Sequence, residues 1–460
     1  MSARVVVVGG GLAGASAALE LAREGVEATL VRAEPGATAL GWGTLDVAGA
    51  VPGSRRLRWR APLREAPLVG ADRLAILIGT FASHPYARVF GRDARSEAGA
   101  AAERVKEVVA ALAAALAPHG LALEGSLDEN RLLADAHGIV RVTDFVFGAA
   151  AGGNLAEVPE IAWVSLAGLP ADPARVALRR LAAERAALGL TPVPARSVEL
   201  RLPGALPLDS PARLAAALDR PEAFAELARA ADAARPEAGA GRLWLFPPVL
   251  GLDRAAANLA ALRERLGAPV AETLAAVPDA TPGYRLHRAL EAALAAAGVA
   301  LRRGRVTRLE SGGGRFRAVV FEDEVGEPVR LDADAVVLAT GRFIGGGLRE
   351  RGGAVEEPIL GLPVVDGRGE RVDGRPARAS VRRRYLDLHP LFAAGVSSDA
   401  RLRPTTGADA SPVAPNLFAA GDLLAGFDPA RDRTGLGVAL VTGVVAARHA
   451  ADAAREPDAP

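Results

Sequence analysis

At 460 residues the chain is too long for one ordinary core, because domains usually run to roughly 100–200 residues, so two domains are expected. Half of the residues are hydrophobic, about a quarter are charged and the net charge is +1, a soluble globular balance with no pull toward nucleic acid or anionic lipid. With no cysteine, the chain has no disulfide, no thiolate nucleophile and no cysteine-ligated iron–sulfur cluster, and no metal site is expected.

The opening "RVVVVGGGLAGASAALELAREGVEATLVR" reads as strand, glycine turn, helix and second strand. Residues 5–8 are a continuous apolar run, as in a parallel strand buried on both faces. Small residues and leucines at helical spacing follow over 15–24, and Gly25 stops them. Residues 36–92 are rich in Gly, Pro and Arg with little periodicity, an excursion expected to wrap a cofactor. A helix is predicted over 97–116 and short strands over 119–148. From about 159 the pattern restarts with a strand in "IAWVSLAGL" and a helix in "DPARVALRRLAAERAALG", capped by Asp172 ahead of Pro173.

Residues 150–275 therefore read as an inserted second α/β domain. Residues 1–149 and 276–455 form a discontinuous Rossmann-like α/β domain, and 456–460 a frayed tail. In the resumed domain, Leu286, Leu290 and Leu294 share one helix face, strands end at Thr340–Gly341, and "NLFAAGDLLAG" precedes a final helix. The first strand starts by Arg4, which leaves no room for a signal peptide. The uncharged run 434–447 is shorter than the ~20 residues of a spanning helix. A cytoplasmic protein is expected, with peripheral attachment to the inner face of the membrane through a partner.

Gly9, Gly11 and Gly14 make G-x-G-x-x-G between strand and helix. Glycine there permits the tight turn, close approach of backbone to phosphate and close helix–strand contact. The first helical N–H groups, at Leu12 and Ala13, face the phosphate with the positive end of the helix dipole. Two later segments point to flavin. One strand ends at Thr340–Gly341. The other ends at Gly421–Asp422, where the aspartate is read as an acceptor for the ribityl chain rather than a helix cap. The helix opening at Gly435, Leu436 and Gly437 would aim its dipole at the flavin's pyrimidine edge. Arg32, at the end of the second strand, stands where a ribose acceptor is expected; a guanidinium only donates and suits a phosphate. FMN is favoured on that ground, with FAD the alternative if Glu34 reaches the ribose.

The ordered set "VVVVGGGLAG", "GWGTLDV", "HPY" at 84–86, "LATGRFIGGGLRERGGAVEEPILGLPV", "LRPTTG" and "NLFAAGDLLAGFDP" resembles the B-subunit family of anaerobic glycerol-3-phosphate dehydrogenase over nearly the whole chain. The resemblance implies a flavoprotein assigned FMN, working at the cytoplasmic membrane with two partners: a larger FAD-bearing A subunit, and an iron–sulfur C subunit. Together they would oxidise sn-glycerol 3-phosphate, a small phosphorylated polyol, to dihydroxyacetone phosphate and pass electrons to menaquinone.

Oxidising a secondary alcohol needs a hydride acceptor and a base for the hydroxyl proton. His84 and His389 are the candidate bases, since each lies in a Gly- or Pro-rich loop, whereas His287 and His449 sit in helical patterns and His119 and His137 in turns. Arg342 and Arg433 are candidates to hold a phosphate. The triple arginine 382–384 reads as a solvated patch or partner contact, and the glycine loop 344–353 as a lid over the flavin. Two other readings stand: a non-catalytic electron-relay member of the same complex, or a stand-alone fumarate-reductase-type flavin dehydrogenase. The latter wants a His–Arg pair in the second domain, where 150–275 hold no histidine.

Overall fold

The computed structural model describes residues 3–49, 69–91, 94–156, 158–170, 173–235, 242–275, 280–384, 387–407 and 411–456. Its central unit is built from β1 (Arg4–Val8), α1 (Leu12–Arg23), β2 (Glu27–Arg32), α2 (Thr281–Ala296), β3 (Ala300–Arg303), β4 (Ala335–Leu338), β5 (Leu417–Ala419) and α3 (Gly435–Arg455). The five strands form one parallel sheet in the order β3-β2-β1-β4-β5. Val5–Val8 and Ala335–Leu338 are buried along their whole length, as strands covered on both faces must be. An antiparallel meander, Arg305–Gly312, Arg315–Glu322 and Pro328–Asp332, lies between β3 and β4 in sequence.

Small residues bring α1 and α3 into near-backbone contact. A Cβ on Gly443 would overlap the Ala13 carbonyl, and one on Gly421 would lie 2.7 Å from the Ala13 Cβ. By length and apolar composition α3 would suit a bilayer, yet 72 % of its apolar window is buried against the sheet unit, so it serves as a core helix.

The second unit is a four-stranded parallel sheet, Val270–Glu272, Leu243–Phe246, Ile161–Leu166 and Ala195–Leu200 in spatial order, with its own core around Trp244, Phe246 and Leu262. The hairpin Arg131–Ala134 and Val140–Thr143, placed by sequence in the first domain, packs Leu132, Val140 and Val142 against Ile161, Trp163 and Leu243 of this sheet in a separate cluster. The chain thus leaves for the second unit at the hairpin and returns at Phe145–Phe147, which pair with Thr44–Leu45 and Leu123–Gly125 and bury Phe145 and Phe147 in the first core. One buried pair joins the two units: Arg285 on α2 grips Glu272 through Nη1–Oε2 at 2.5 Å and Nη2–Oε1 at 3.0 Å, and donates Nε to the Gly251 carbonyl at 2.7 Å.

Of the excursion 36–92, residues 50–68 and 92 lie outside the described residues, and the rest holds more order than its composition implies. Helices Gly70–Thr80 and Pro85–Phe90 fall within it, and Leu74, Leu77 and Ile78 bury one face of the first. The proposed cap at Asp172 and the tail beyond 456 lie outside the described residues.

Candidate functional site

The carboxyl ends of β1, β4 and β5 converge on a groove floored by glycine. Gly9 sits at φ +117°, and a Cβ there would strike the Ala339 carbonyl at the end of β4; a Cβ on Gly14 would overlap the Gly9 carbonyl. These two contacts give the spacing of the glycine motif its physical reason. Gly9, Gly10, Gly11, Thr340, Gly341 and Asp422 are half-buried, whereas the strands leading to them are closed to solvent. Thr38, which sequence reasoning missed, accepts the Leu12 N–H at 2.8 Å and so caps the start of α1 from the next segment.

The far flank fits a flavin as well. Gly421, at φ +69°, turns the chain after β5, and its N–H is held by Thr442 Oγ1 at 2.8 Å. The Asp422 carboxylate accepts no hydrogen bond from the described residues and stands 4.0 Å from the Cβ position of Gly435 at the start of α3. Thr340 Oγ1 and Thr434 Oγ1 are buried without a partner. A free carboxylate, two orphaned hydroxyls and two helix N-termini along one glycine-floored groove match the hydroxyl-rich, anionic body of a flavin nucleotide. Gly435 and Leu436 line the groove half-buried, while Gly437 is buried, its Cβ position 2.6 Å from the Asp46 carbonyl and from the Tyr86 hydroxyl.

Several expected roles change. Arg32 is not an uncommitted cation: it is 7 % exposed, ion-paired with Glu291 on α2 and 3.5 Å from His287 Nε2. A guanidinium so committed gives no reason to favour FMN over FAD. Arg342 is consumed by backbone. It donates to the carbonyls of Asp422 at 3.1 Å, Leu424 at 3.2 Å, Phe427 at 3.3 Å and also Phe392, which makes it a staple rather than a phosphate fork. The glycine loop that follows is no lid at its root, because Gly345 and Gly347 press on the backbone of Thr340 and Gly341, and 349–351 pair with 354–356.

His84 caps the helix Pro85–Phe90 by accepting the Tyr86 N–H at Nδ1, 3.2 Å, so its remaining ring nitrogen carries the proton and has no lone pair to offer. Burial pushes its pKa down to about 3. A base it is not. His389 accepts the Arg382 N–H at Nδ1, 3.0 Å, and holds the loop before Pro390. Glu357, in the segment most specific to the resemblance, accepts the N–H groups of Ile359, Leu360 and Leu362 at 2.9, 2.8 and 3.2 Å; that segment is a carboxylate-pinned turn.

Where the hairpin 131–143 meets the loop 42–49 and the start of α3, a charged seam appears that sequence reasoning did not assemble. Asp144 accepts Arg73 Nη2 at 2.5 Å and the Val47 N–H at 3.0 Å; burial, with Asp46 adding to it, pushes its pKa up to about 6 against the pull of Arg73. Asp46 accepts Thr143 Oγ1 at 2.5 Å and is raised by burial. Arg433 reaches the Gly49 and Val142 carbonyls at 2.7 and 3.4 Å. Trp42 and Asp46 belong to "GWGTLDV", a signal visible in the sequence, whereas nothing there singled out Arg141. A cavity of about 610 Å³ between the helix ending at Leu116, α2 and the second unit lies apart from this chemistry, and the cations Arg285 and Arg288 on its wall are paired with Glu272 and Asp253.

Residues 4–438 match the family described as FAD binding domain. The probable B subunit of anaerobic glycerol-3-phosphate dehydrogenase from Halobacterium salinarum is 31 % identical over 98 % of this chain and 99 % of its own length. The chain belongs to this B-subunit family. The corresponding B subunit of Yersinia pseudotuberculosis serotype I is 29 % identical, covering 97 % of each chain. Among solved structures, 3-ketosteroid delta1-dehydrogenase from Sterolibacterium denitrificans aligns at 12 % identity and a TM-score of 0.42, over 98 % of this chain and 100 % of that one. As a member of the B-subunit family with an FAD-binding domain, the protein is a flavin-dependent oxidoreductase, and its curated relatives are named as parts of a larger dehydrogenase.

Proposed function

We propose that the chain binds FAD in the groove and oxidises sn-glycerol 3-phosphate to dihydroxyacetone phosphate within a multi-subunit dehydrogenase. The carrying observation is the near full-length likeness to the B-subunit relatives, combined with a groove whose glycines and unpaired acceptors suit a flavin. When bound, the flavin supplies the acceptor for the hydride leaving the alcohol carbon. Gly9, Gly11, Leu12, Ala13 and Gly14 would cradle phosphate, Asp422 would accept from the ribityl hydroxyls, and the start of α3 would face the ring.

Electrons would leave for a quinone pool through two partner chains, one FAD-bearing and one carrying iron–sulfur clusters, on the cytoplasmic side of the membrane. The absence of cysteine supports clusters on another chain. One observation favours the relay reading instead: the ring nitrogens of His84 and His389 that could accept a proton already accept backbone N–H groups.

The purified full chain, stripped of its flavin by acid, will yield FAD by mass, and anaerobic sn-glycerol 3-phosphate will bleach the flavin band of the intact chain. A flavin that stays oxidised alone but is reduced once the partner chains are added sinks the catalytic reading in favour of relay.

A further inference from the structure

The seam beside the start of α3 holds two guanidiniums with donors left over. Arg141 lies over Trp42 with Cζ 3.5 Å from the ring centroid, and its side chain is 20 % exposed. It donates no hydrogen bond to any described residue, its Nε is buried without an acceptor, and Asp135 at 3.6 Å is its ion-pair neighbour. Arg433 also keeps a buried Nε with no acceptor. A buried donor without a partner is costly, and two at one place are rare unless a ligand satisfies them.

Electrostatics point the same way. Burial first, with the like charge of Arg433 adding to it, pushes the Arg141 pKa down to about 10, against Asp135 and Asp46. Two cations that disfavour each other at a partly buried seam are relieved by an anion between them. Besides Asp135, Asp46 is a nearby acid, but Thr143 and the Asp144 N–H occupy its Oδ1, and burial favours its neutral form. The backbone carbonyl of Asp46 stands 2.6 Å from the Cβ position of Gly437, so the seam touches the first turn of α3.

We propose that Arg141 and Arg433, backed by Trp42, form an anion subsite that takes the phosphate of a phosphorylated polyol beside the start of α3. The subsite deepens the function proposed above and rests on that reading for the identity of the polyol. Planar guanidiniums suit a phosphate monoester through paired N–H donors, and the Trp42 face keeps Arg141 in place while it is free.

The test titrates the flavin-loaded full chain with inorganic phosphate, sn-glycerol 3-phosphate, glycerol and succinate by calorimetry. Phosphate and glycerol 3-phosphate will compete for one site, and glycerol alone will not bind. Arg141→Gln will weaken both anions by about tenfold or more, with flavin content and thermal melt unchanged. Arg433→Gln will do the same, but because Arg433 also braces Gly49 and Val142, Arg141→Gln carries the decision. Unaltered anion affinity in Arg141→Gln, tighter binding of succinate than of phosphate, or no anion binding by the wild type overturns the subsite. If the wild type oxidises glycerol 3-phosphate and Arg141→Gln binds it equally well, the subsite falls and the function stands. If phosphate binding depends on Arg141 yet glycerol 3-phosphate never reduces the flavin, the subsite stands and the function falls.

Discussion

At the carboxyl edge of the sheet, a buried arginine is spent on backbone; at the seam with the hairpin, a half-buried one makes no hydrogen bond to the described residues. Arg342 gives donors to three carbonyls of the turn after β5 and to that of Phe392, while the half-buried Arg141 gives none to the described residues. The same side chain thus does opposite work in two regions. A guanidinium with four of its five donors on carbonyls fixes backbone. One held only by an aromatic face and a distant carboxylate keeps its hydrogen bonds for something that arrives. Composition does not separate the two cases; the count of satisfied donors does.

The largest effect that would break this comparison lies at Arg342. Arg342→Ala should lower stability by about 3–5 kcal/mol in denaturant unfolding, because four carbonyls lose their donor at once, and Arg342→Lys should recover little for want of the planar fork. A loss below about 1 kcal/mol would show that the staple is idle. Gly14→Ala comes next, at about 2–3 kcal/mol, since its Cβ meets the Gly9 carbonyl; the flavin-to-protein absorbance ratio should collapse with it. Asp422→Ala should weaken flavin binding by about 1.5–3 kcal/mol in an equilibrium titration while the flavin-free melt stays put.

A subtler contrast is one of pH. The folded pKa of His84, about 3, lies below its ordinary 6.5, so the unfolded chain binds more protons across that interval. The His84 contribution is complete above pH 6.5 and is lost as pH falls toward 3. His84→Asn keeps a cap for the Tyr86 N–H and should flatten that slope in melts compared between pH 7 and 4. Asp144, raised to about 6, slopes the opposite way but is common to both proteins and cancels in the difference. The smallest effect belongs to Arg141→Gln, which should shift stability by no more than about 0.5 kcal/mol while anion affinity drops; a large unfolding penalty would make Arg141 another staple.

The sheet and its glycine turns were legible because short-range pattern decides them: a four-valine strand and three glycines at fixed offsets admit few alternatives. Arg32 reads from sequence as a free cation because its partner, Glu291, lies far along the chain on α2, and spacing near a motif says nothing of what another helix brings. His84 looked like a base because its loop setting was visible and its backbone partner was not. The helix Gly70–Thr80 was hidden by the irregular composition around it. Arg141 gave no signal, since only the docking of a hairpin onto a loop nearly a hundred residues earlier puts it over Trp42.

Glycine and alanine at the crossing of α1 and α3 leave no compressible layer between the helices. Their two electropositive tips are consequently clamped at a set interval, with Gly421 wedged between them like a shim. Such a gauge reads the length of whatever lies along it. Side-chain drift elsewhere in the groove can retune affinity or redox poise, but a ligand of another span demands that the crossing itself be rebuilt.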